Sequence, residues 1–523
     1  MGKNITRRDL LKAAGIVSTG ALVKPASFML AHVISGIVDK AYGNTTTGPG
    51  TPRNLILFQL LSAPPRWYWD PLSPYDDVST MISNPNLGTK FVLDTVSNTY
   101  KSIKYETFSF NGINLPWLWH SQVPTASGGS RPMTDLLEYI LCVQGVNVVN
   151  PAHTGAQDLQ FRPSGISNTI TSLTGDVSQR PIPFIGMNTS PNPYNSKLQK
   201  SGVNGLSMAG NWLENLLTPL MVGAPSFTSQ LNTLDSALSQ VFSNIENAMT
   251  SKHMDFGISA SANRNALLAI KKDFGNLSTE FQTRRDKYRS LLQIACAPIP
   301  TSNPISIFEG VNDYPVMSEG VDLRAGLNYW TGTQMVYGMA EQFALIEYSL
   351  SKELTTSIAC GLNPLINCNN DEHDVSFITS VLVNNLWNRG FAACLLELIT
   401  ELIAIDVWKD TVFSISAEFG RMPKNFGMGS DHAPEASSYT FLSGCLKGYE
   451  FVGNTKRSSG ISSYPGTWGY TASNDVYGFL GLGHIAATTA SLLNVASPVT
   501  SSPSLVKLEN GLFTSKLGKT RII

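Results

Sequence analysis

The chain reads as an α/β protein: a central, mostly parallel β-sheet flanked by helices, with a long helical hairpin inserted. Three observations carry that reading. The segments Asn54–Leu61 and Thr411–Ser416 are runs of apolar and small residues without polar alternation. Such runs, bounded by turn signals, suit strands buried on both faces. Helix-length apolar segments, Leu327–Leu350 and Ser376–Ile405, flank a third such run at Thr355–Gly361, and this alternation is the mark of crossover-connected sheets. Between residues 211 and 297 the rhythm changes, with Leu231, Leu234, Leu238, Val241 and Ile245 at three- and four-residue spacing. Leu267, Ile270, Phe274, Leu277, Phe281, Tyr288 and Leu291 repeat it. Two amphipathic helices with a coiled-coil-like seam are expected there.

The N-terminus, 1–43, reads as an address. Paired Arg7 and Arg8 precede a short apolar run, Ala13–Val23, and a second one, Phe28–Val38, follows Lys24-Pro25. This resembles a twin-arginine export leader, with Ala41-Tyr42-Gly43 as a small-residue cleavage site. The first run is too short to span a bilayer, and no later segment is long and apolar enough to do so. A periplasmic, cell-surface or secreted protein is expected, touching membrane only through the leader. Residues 44–53, rich in Thr, Gly and Pro, form a linker.

Composition narrows the class. Among 523 residues, 42% are apolar and 14% charged, which suits a folded protein. The net charge of −1 and the lack of a long basic run past the N-terminus speak against nucleic-acid binding. None of the six cysteines forms a Cys-x-x-Cys pair, so zinc ribbons and thioredoxin-like sites are not indicated. Cys360 and Cys368 are close enough in sequence to pair in an oxidising compartment; buried free thiols are the alternative.

The first part of the α/β core, 54–210, begins with the Asn54 strand. A Pro- and Trp-rich loop, Ser62–Asp77, follows it. Residues 82–130 hold short alternating pieces and turns. Met133–Leu141 reads as a short helix and Cys142–Val149 as a strand with a Gly turn. At Asn150–Asp158 a loop passes into a helix, with Thr154 near its start. A hydroxyl there lies among unpaired backbone N–H groups and suits an anion or a nucleophile; a simple N-cap is the other reading. The hairpin at 211–297 interrupts the core, which resumes over 298–496. The tail, 497–523, reads as peripheral.

Candidate chemistry gathers where strands end. Past the Thr411 strand come Glu418, Arg421, Asp431 and His432. Ligands in open α/β sheets bind beyond the carboxyl ends of strands. An acid, a guanidinium and an Asp-His pair there can hold a cation and an anion, or form an ion-paired loop. Past the Thr355 strand come Asp371 and His373, and His484 opens a C-terminal helix. Two-metal hydrolases need about four to seven carboxylate and imidazole ligands. Asp371, His373, Asp431, His432 and His484 can supply five. Mixed Asp/His ligation suits zinc or manganese better than calcium or magnesium.

In order, Ala417-Glu418-Phe419-Gly420-Arg421, Gly429-Ser430-Asp431-His432-Ala433 and Gly444-Cys445-Leu446-Lys447-Gly448 resemble the family called domain of unknown function 1501. Asn370–His373 and Ala152–Asp158 resemble two further segments of it. The likeness runs from about Asn54 to Val495, and a twin-arginine leader is common in that family. The family in turn looks related to the alkaline phosphatase and sulfatase superfamily, which implies a three-layer sandwich of helices on a central sheet. By motif, Asp431 and His432 would bind one metal and Asp371, His373 and His484 another. Thr154 would be the nucleophile. Departures are plain: the superfamily's first strand ends in an Asp, whereas this one runs into Leu61-Ser62-Ala63-Pro64.

Two functions follow as expectations. One is an exported metal-dependent hydrolase of small anionic phosphate or sulfate esters, with Arg421 on the anion and Glu418 beside it. The other is a non-catalytic structural or binding protein on the same scaffold. It would meet a protein partner or a second copy through the hairpin or the aromatic loop Arg66–Trp69.

Overall fold

The computed structural model describes residues 51–70, 90–94, 99–104, 107–150, 152–163, 166–178, 180, 182–189, 193–198, 202–206, 280–295, 335–362, 377–423, 430–453, 455–457, 468–471 and 478–517. The chain divides into two compact units. One comprises Met1–Pro49, Gln179–Ile182 and Leu206–Gln282, nearly all of it outside the described residues. The expected leader and most of the expected hairpin fall there. The other comprises Gly50–Ser178, Pro183–Gly205 and Thr283–Ile523.

Its centre is a nine-stranded sheet. In chain order the strands are β1 (Asn54–Leu60), β2 (Ile140–Asn147), β3 (Ile185–Met187), β4 (Val203–Leu206), β5 (Ser357–Leu362), β6 (Thr411–Ala417), β7 (Ser437–Ser443), β8 (Glu450–Gly453) and β9 (Leu480–Gly481). Across the sheet they run β4-β3-β5-β1-β6-β7-β2-β8, with β9 also on β2. β1 is parallel to both β5 and β6, and β5 to β3. β7 is antiparallel to β6 and β2, while β8 and β9 are parallel to β2. The carboxyl ends of β1, β5, β6 and β2 therefore share one edge, where β7 begins.

The expected central strands are present because their residues are apolar on both faces. Phe58 and Leu57, adjacent in β1, face opposite ways. Phe58 meets Phe343 at 5.4 Å, Phe391 at 5.5 Å and Phe413 at 5.6 Å between ring centres. Phe343 belongs to α4 (Met335–Ser351) and Phe391 to α5 (Phe377–Ala404). Leu57 instead joins Phe161, Ile170, Phe184, Tyr194, Ala359 and Ala486 in one buried cluster. Phe161 ends α1 (His153–Phe161), and Ala486 lies in α6 (Leu482–Leu492). Between these come α2 (Ser172–Val177) and the helical residues 280–295, α3. Ion pairs tie α3 to its neighbours: Lys287 Nζ reaches Glu347 at 2.8 Å and Glu401 at 2.7 Å, and Arg289 reaches Glu341 at 2.9 Å.

Several expectations change on folding. The short helix expected from Met133 is present as a 3-10 helix, Met133–Tyr139, and its last two expected residues open β2 instead. The apolar stretch expected as a helix or helix pair is one helix, Phe377–Ala404, with Gly390 in its interior. Among the described residues of 90–132 there are three small antiparallel strand pairs and a 3-10 helix, Trp117–His120. Arg66, Tyr68 and Trp69 are buried, so they are core and not a partner surface. Arg66 pairs with Asp70 at 2.7 Å and donates to Thr440 of β7 at 3.0 Å, which lets a charged loop lie inside. The tail is not wholly peripheral: a hairpin, Val506–Glu509 with Leu512–Ser515, bonds through Phe513 to Cys445 and Lys447. Cys360 is a buried free thiol, as are Cys142, Cys394 and Cys445; Cys368 lies outside the described residues. Among the described residues no helix is long and apolar enough to cross a membrane.

Phe58→Ala should lower stability by about 3–5 kcal/mol, the range for emptying an aromatic core site. Urea unfolding of the two proteins measures it, and a change below about 1 kcal/mol would contradict the central place given to this ring.

Candidate functional site

β1 leaves the sheet through a strained turn. Leu61 still pairs through its N–H with Leu362 O at 2.9 Å. Then Ser62 and Ala63 both take positive φ, 66° and 49°. Residues with a Cβ resist that conformation by roughly 1–2 kcal/mol each. The strain persists because the chain leaving β6 grips the turn from both sides. Glu418 Oε1 accepts the Ser62 N–H at 2.8 Å. Arg421 Nε donates to Ala63 O at 2.6 Å, and its Nη2 donates to Ser62 O at 2.9 Å. Glu418 is fully buried and Arg421 nearly so. The guanidinium thus braces a backbone turn, a different task from the anion contact expected of it.

Arg421 lies on a two-stranded hairpin, Gly420–Pro423 with Ser430–Ala433, between β6 and β7. In its register Arg421 stands opposite His432, and Met422 opposite Asp431. The His432 ring sits 4.2 Å from Phe419. The Phe419 ring in turn lies 5.7 Å below the Arg421 guanidinium carbon, a cation–π distance. The Asp431 side chain lies outside what is described.

α1 brings in the third component. Its N-cap residue is Ala152, without a side-chain cap, so Thr154 is not the cap. Thr154 stands exposed in the first turn. Asn150 Oδ1 accepts the Ala152 N–H at 2.9 Å and so shapes the entry. A Cβ on Gly155 would fall 2.1 Å from Asn150 Nδ2, so a larger residue there would push the Asn150 side chain aside. His153 and Gln157, four residues apart, share one helix face. His153 Nδ1 meets Glu418 Oε2, and Gln157 Nε2 donates to Glu418 Oε1. Below them Gln160 donates to Ser416 Oγ at 2.9 Å and accepts from Gln59 at 2.6 Å. A polar stripe on α1 therefore runs along β6 and ends at the Glu418 carboxylate. The His153 ring meets the His432 ring edge to face, 4.9 Å apart at 88°.

His484 lies at the start of α6, where its Nδ1 accepts the Gly481 N–H at 3.2 Å. That bond commits the Nδ1 lone pair to closing the helix start. Burial pushes the imidazole below its ordinary value.

Of the expected site residues, the structure brings Glu418, Arg421 and His432 to one edge of the sheet. Asp371 and His373 lie outside the described residues. Among the described residues no three His, Cys, Asp or Glu side chains form a group able to hold a metal ion. The residues missed were His153 and Gln157. One signal for them was legible: His153, Gln157 and Gln160 put polar groups at i, i+4 and i+7 of a helix next to buried strands.

Two measurements follow. Arg421→Lys keeps the charge but not the fork that spans two carbonyls, so it should cost about 1–3 kcal/mol in urea unfolding. An unchanged midpoint would remove the brace. For His484, the folded value lies below the unfolded 6.5. Its stabilising contribution is then whole above that value and is lost as pH falls through the lowered folded value. His484→Ala should shrink the drop in unfolding midpoint between about pH 7.5 and about pH 5; an equal drop in both proteins would contradict this.

Residues 370–465 match the sequence model of a family described as protein of unknown function (DUF1501). The matched span includes Asp371, His373, Glu418, Arg421, Asp431 and His432, and stops short of His153, Thr154 and His484. No curated protein and no solved structure matches the chain. The family match supports the resemblance read from the Glu418–Arg421 and Asp431–His432 motifs.

Proposed function

We propose that this protein is an exported, metal-dependent hydrolase of small phosphate or sulfate esters, built on a sandwich like that of alkaline phosphatases and sulfatases. One observation carries the reading. Two imidazoles, His153 and His432, lie side by side at the carboxyl edge of a mostly parallel sheet, one of them held by a fully buried carboxylate. That edge is where such sheets bind ligands.

The donor set fits zinc or manganese, which accept imidazole together with carboxylate. Asp431 and His432 would hold the cation, with Asp371 and His373 completing the set. His484 is left out, since its Nδ1 closes a helix start. A bound cation would polarise the ester and lower the pKa of the attacking hydroxyl. Thr154 is the proposed nucleophile. Its hydroxyl is exposed on the first turn of α1, where unpaired backbone N–H groups favour an anionic substrate. Glu418 fixes His153, and Arg421 keeps the Ser62-Ala63 turn in place beneath them.

A second reading, a non-catalytic scaffold, is favoured by the use of Arg421 on backbone carbonyls. A guanidinium so engaged has less to offer an anion.

The purified protein should carry zinc or manganese by elemental analysis and hydrolyse aryl phosphate or aryl sulfate. Chelation should abolish turnover, and His432→Ala should lower it by about a hundredfold or more. Arg7→Lys with Arg8→Lys should hold the protein in the cytoplasmic fraction. A metal-free protein without esterase activity would leave the scaffold reading in place of the hydrolase.

A further inference from the structure

The His153 ring stands beside that of His432, 4.9 Å away between ring centres, and this pair has geometry beyond simple packing. Glu418 Oε2 faces His153 Nδ1. A carboxylate only accepts, so Nδ1 carries a ring proton, and in the neutral ring the lone pair lies on Nε2. A carboxylate or carbonyl behind one ring nitrogen is the usual companion of a histidine that binds metal through the other, because it fixes the tautomer and the ring plane. Glu418 is itself held, by the Ser62 N–H at 2.8 Å and by the Gln157 amide. Its position is set by β6, by the turn after β1 and by α1 together.

The spacing is also informative. Two imidazoles on one tetrahedral cation, with metal–nitrogen bonds of ~2.0–2.1 Å, have ring centres roughly 5 Å apart. His153 and His432 are 4.9 Å apart, and Phe419 touches both, at 4.9 Å and 4.2 Å. The near-perpendicular rings suit two ligands that approach a common point from different elements, one from α1 and one from the 420–433 hairpin. Phe419 covers one side of the pair with an apolar ring, which limits how either imidazole can turn.

We infer that His153 is a ligand to the cation that His432 binds, through Nε2, with Glu418 as its positioning residue. This rests on the metal-dependent reading above and adds to it a donor from the first half of the chain, outside the family-matched span.

The test uses the full chain stripped of metal, then titrated with zinc against a chromophoric competitor and, separately, with cobalt. His153→Ala should weaken zinc binding by about a hundredfold or more and change the cobalt absorption bands, in a metal-free protein that still unfolds cooperatively. Glu418→Gln should weaken zinc about 10–100-fold, the usual effect of losing such a carboxylate. Because Glu418→Gln also loosens the Ser62 turn, Gln157→Leu serves as a milder probe and should move affinity in the same direction. If the wild type binds metal and His153→Ala binds it equally tightly with the same cobalt spectrum, His153 is only a packing neighbour and this inference falls while the metal reading stands. If the wild type binds neither metal, both fall.

Discussion

The Glu418 carboxylate sits at the end of the strand next to the first, with no exposure to solvent. An unpaired charge so placed costs several kcal/mol in lost hydration. Here it meets the Ser62 N–H, the Gln157 amide and the His153 ring. Hydrogen bonds to a charged group contribute about 1.5–3 kcal/mol each, so three of them offset much of that cost, and the loss of any one is felt by the others. The three partners come from the turn after β1 and from α1. One side chain therefore sets where the first strand leaves the sheet and how the first helix is rotated against it.

Glu418 and Arg421 act on the same turn in opposite senses. The carboxylate takes its N–H, and the guanidinium takes two of its carbonyl oxygens. Neither alone satisfies a backbone held with two successive residues at positive φ. A glycine at either position would relieve the strain, and the chain has Ser62 and Ala63 instead. The turn therefore keeps its shape through contacts made by the hairpin after β6, some 350 residues later in sequence. This long-range grip fixes the path of the turn at the edge of the sheet where the imidazoles stand.

Much of this was legible before folding, for a physical reason. β1, β5 and β6 are short runs with no polar face, and only a doubly covered strand accommodates such a run. Glu418, Arg421 and His432 were legible as a group because they lie within fifteen residues past one such strand. Their roles were not. Whether a guanidinium meets an anion or a carbonyl depends on where a turn from the other end of the chain arrives. The choice between Thr154 and His153 depends on the rotation of α1. That rotation is set by Gln160 bonding to β6 and by Gln157 bonding to Glu418 just past its end. Arg66, Tyr68 and Trp69 misled for a related reason. Composition describes a polar aromatic loop, but an ion pair with Asp70 and a bond to Thr440 carry it into the core.

The energetics bear on what the Glu418 network is for. Replacing a buried ionic cluster by apolar side chains of similar volume is often neutral or stabilising by about 1–4 kcal/mol. Folding alone is therefore a weak reason to bury a carboxylate behind a half-exposed imidazole. A fixed tautomer and a fixed ring plane at the rim are what the polar arrangement supplies and an apolar one cannot. The same logic separates His153 from His484. His484 uses its Nδ1 locally, on the N–H of a residue three positions earlier, and a small polar cap would serve as well. His153 is held by a residue 265 positions away, from a strand that it reaches only in the folded state. An imidazole oriented across that separation, beside a second one, owes its position to the packing of the whole sheet edge more than to its own helix.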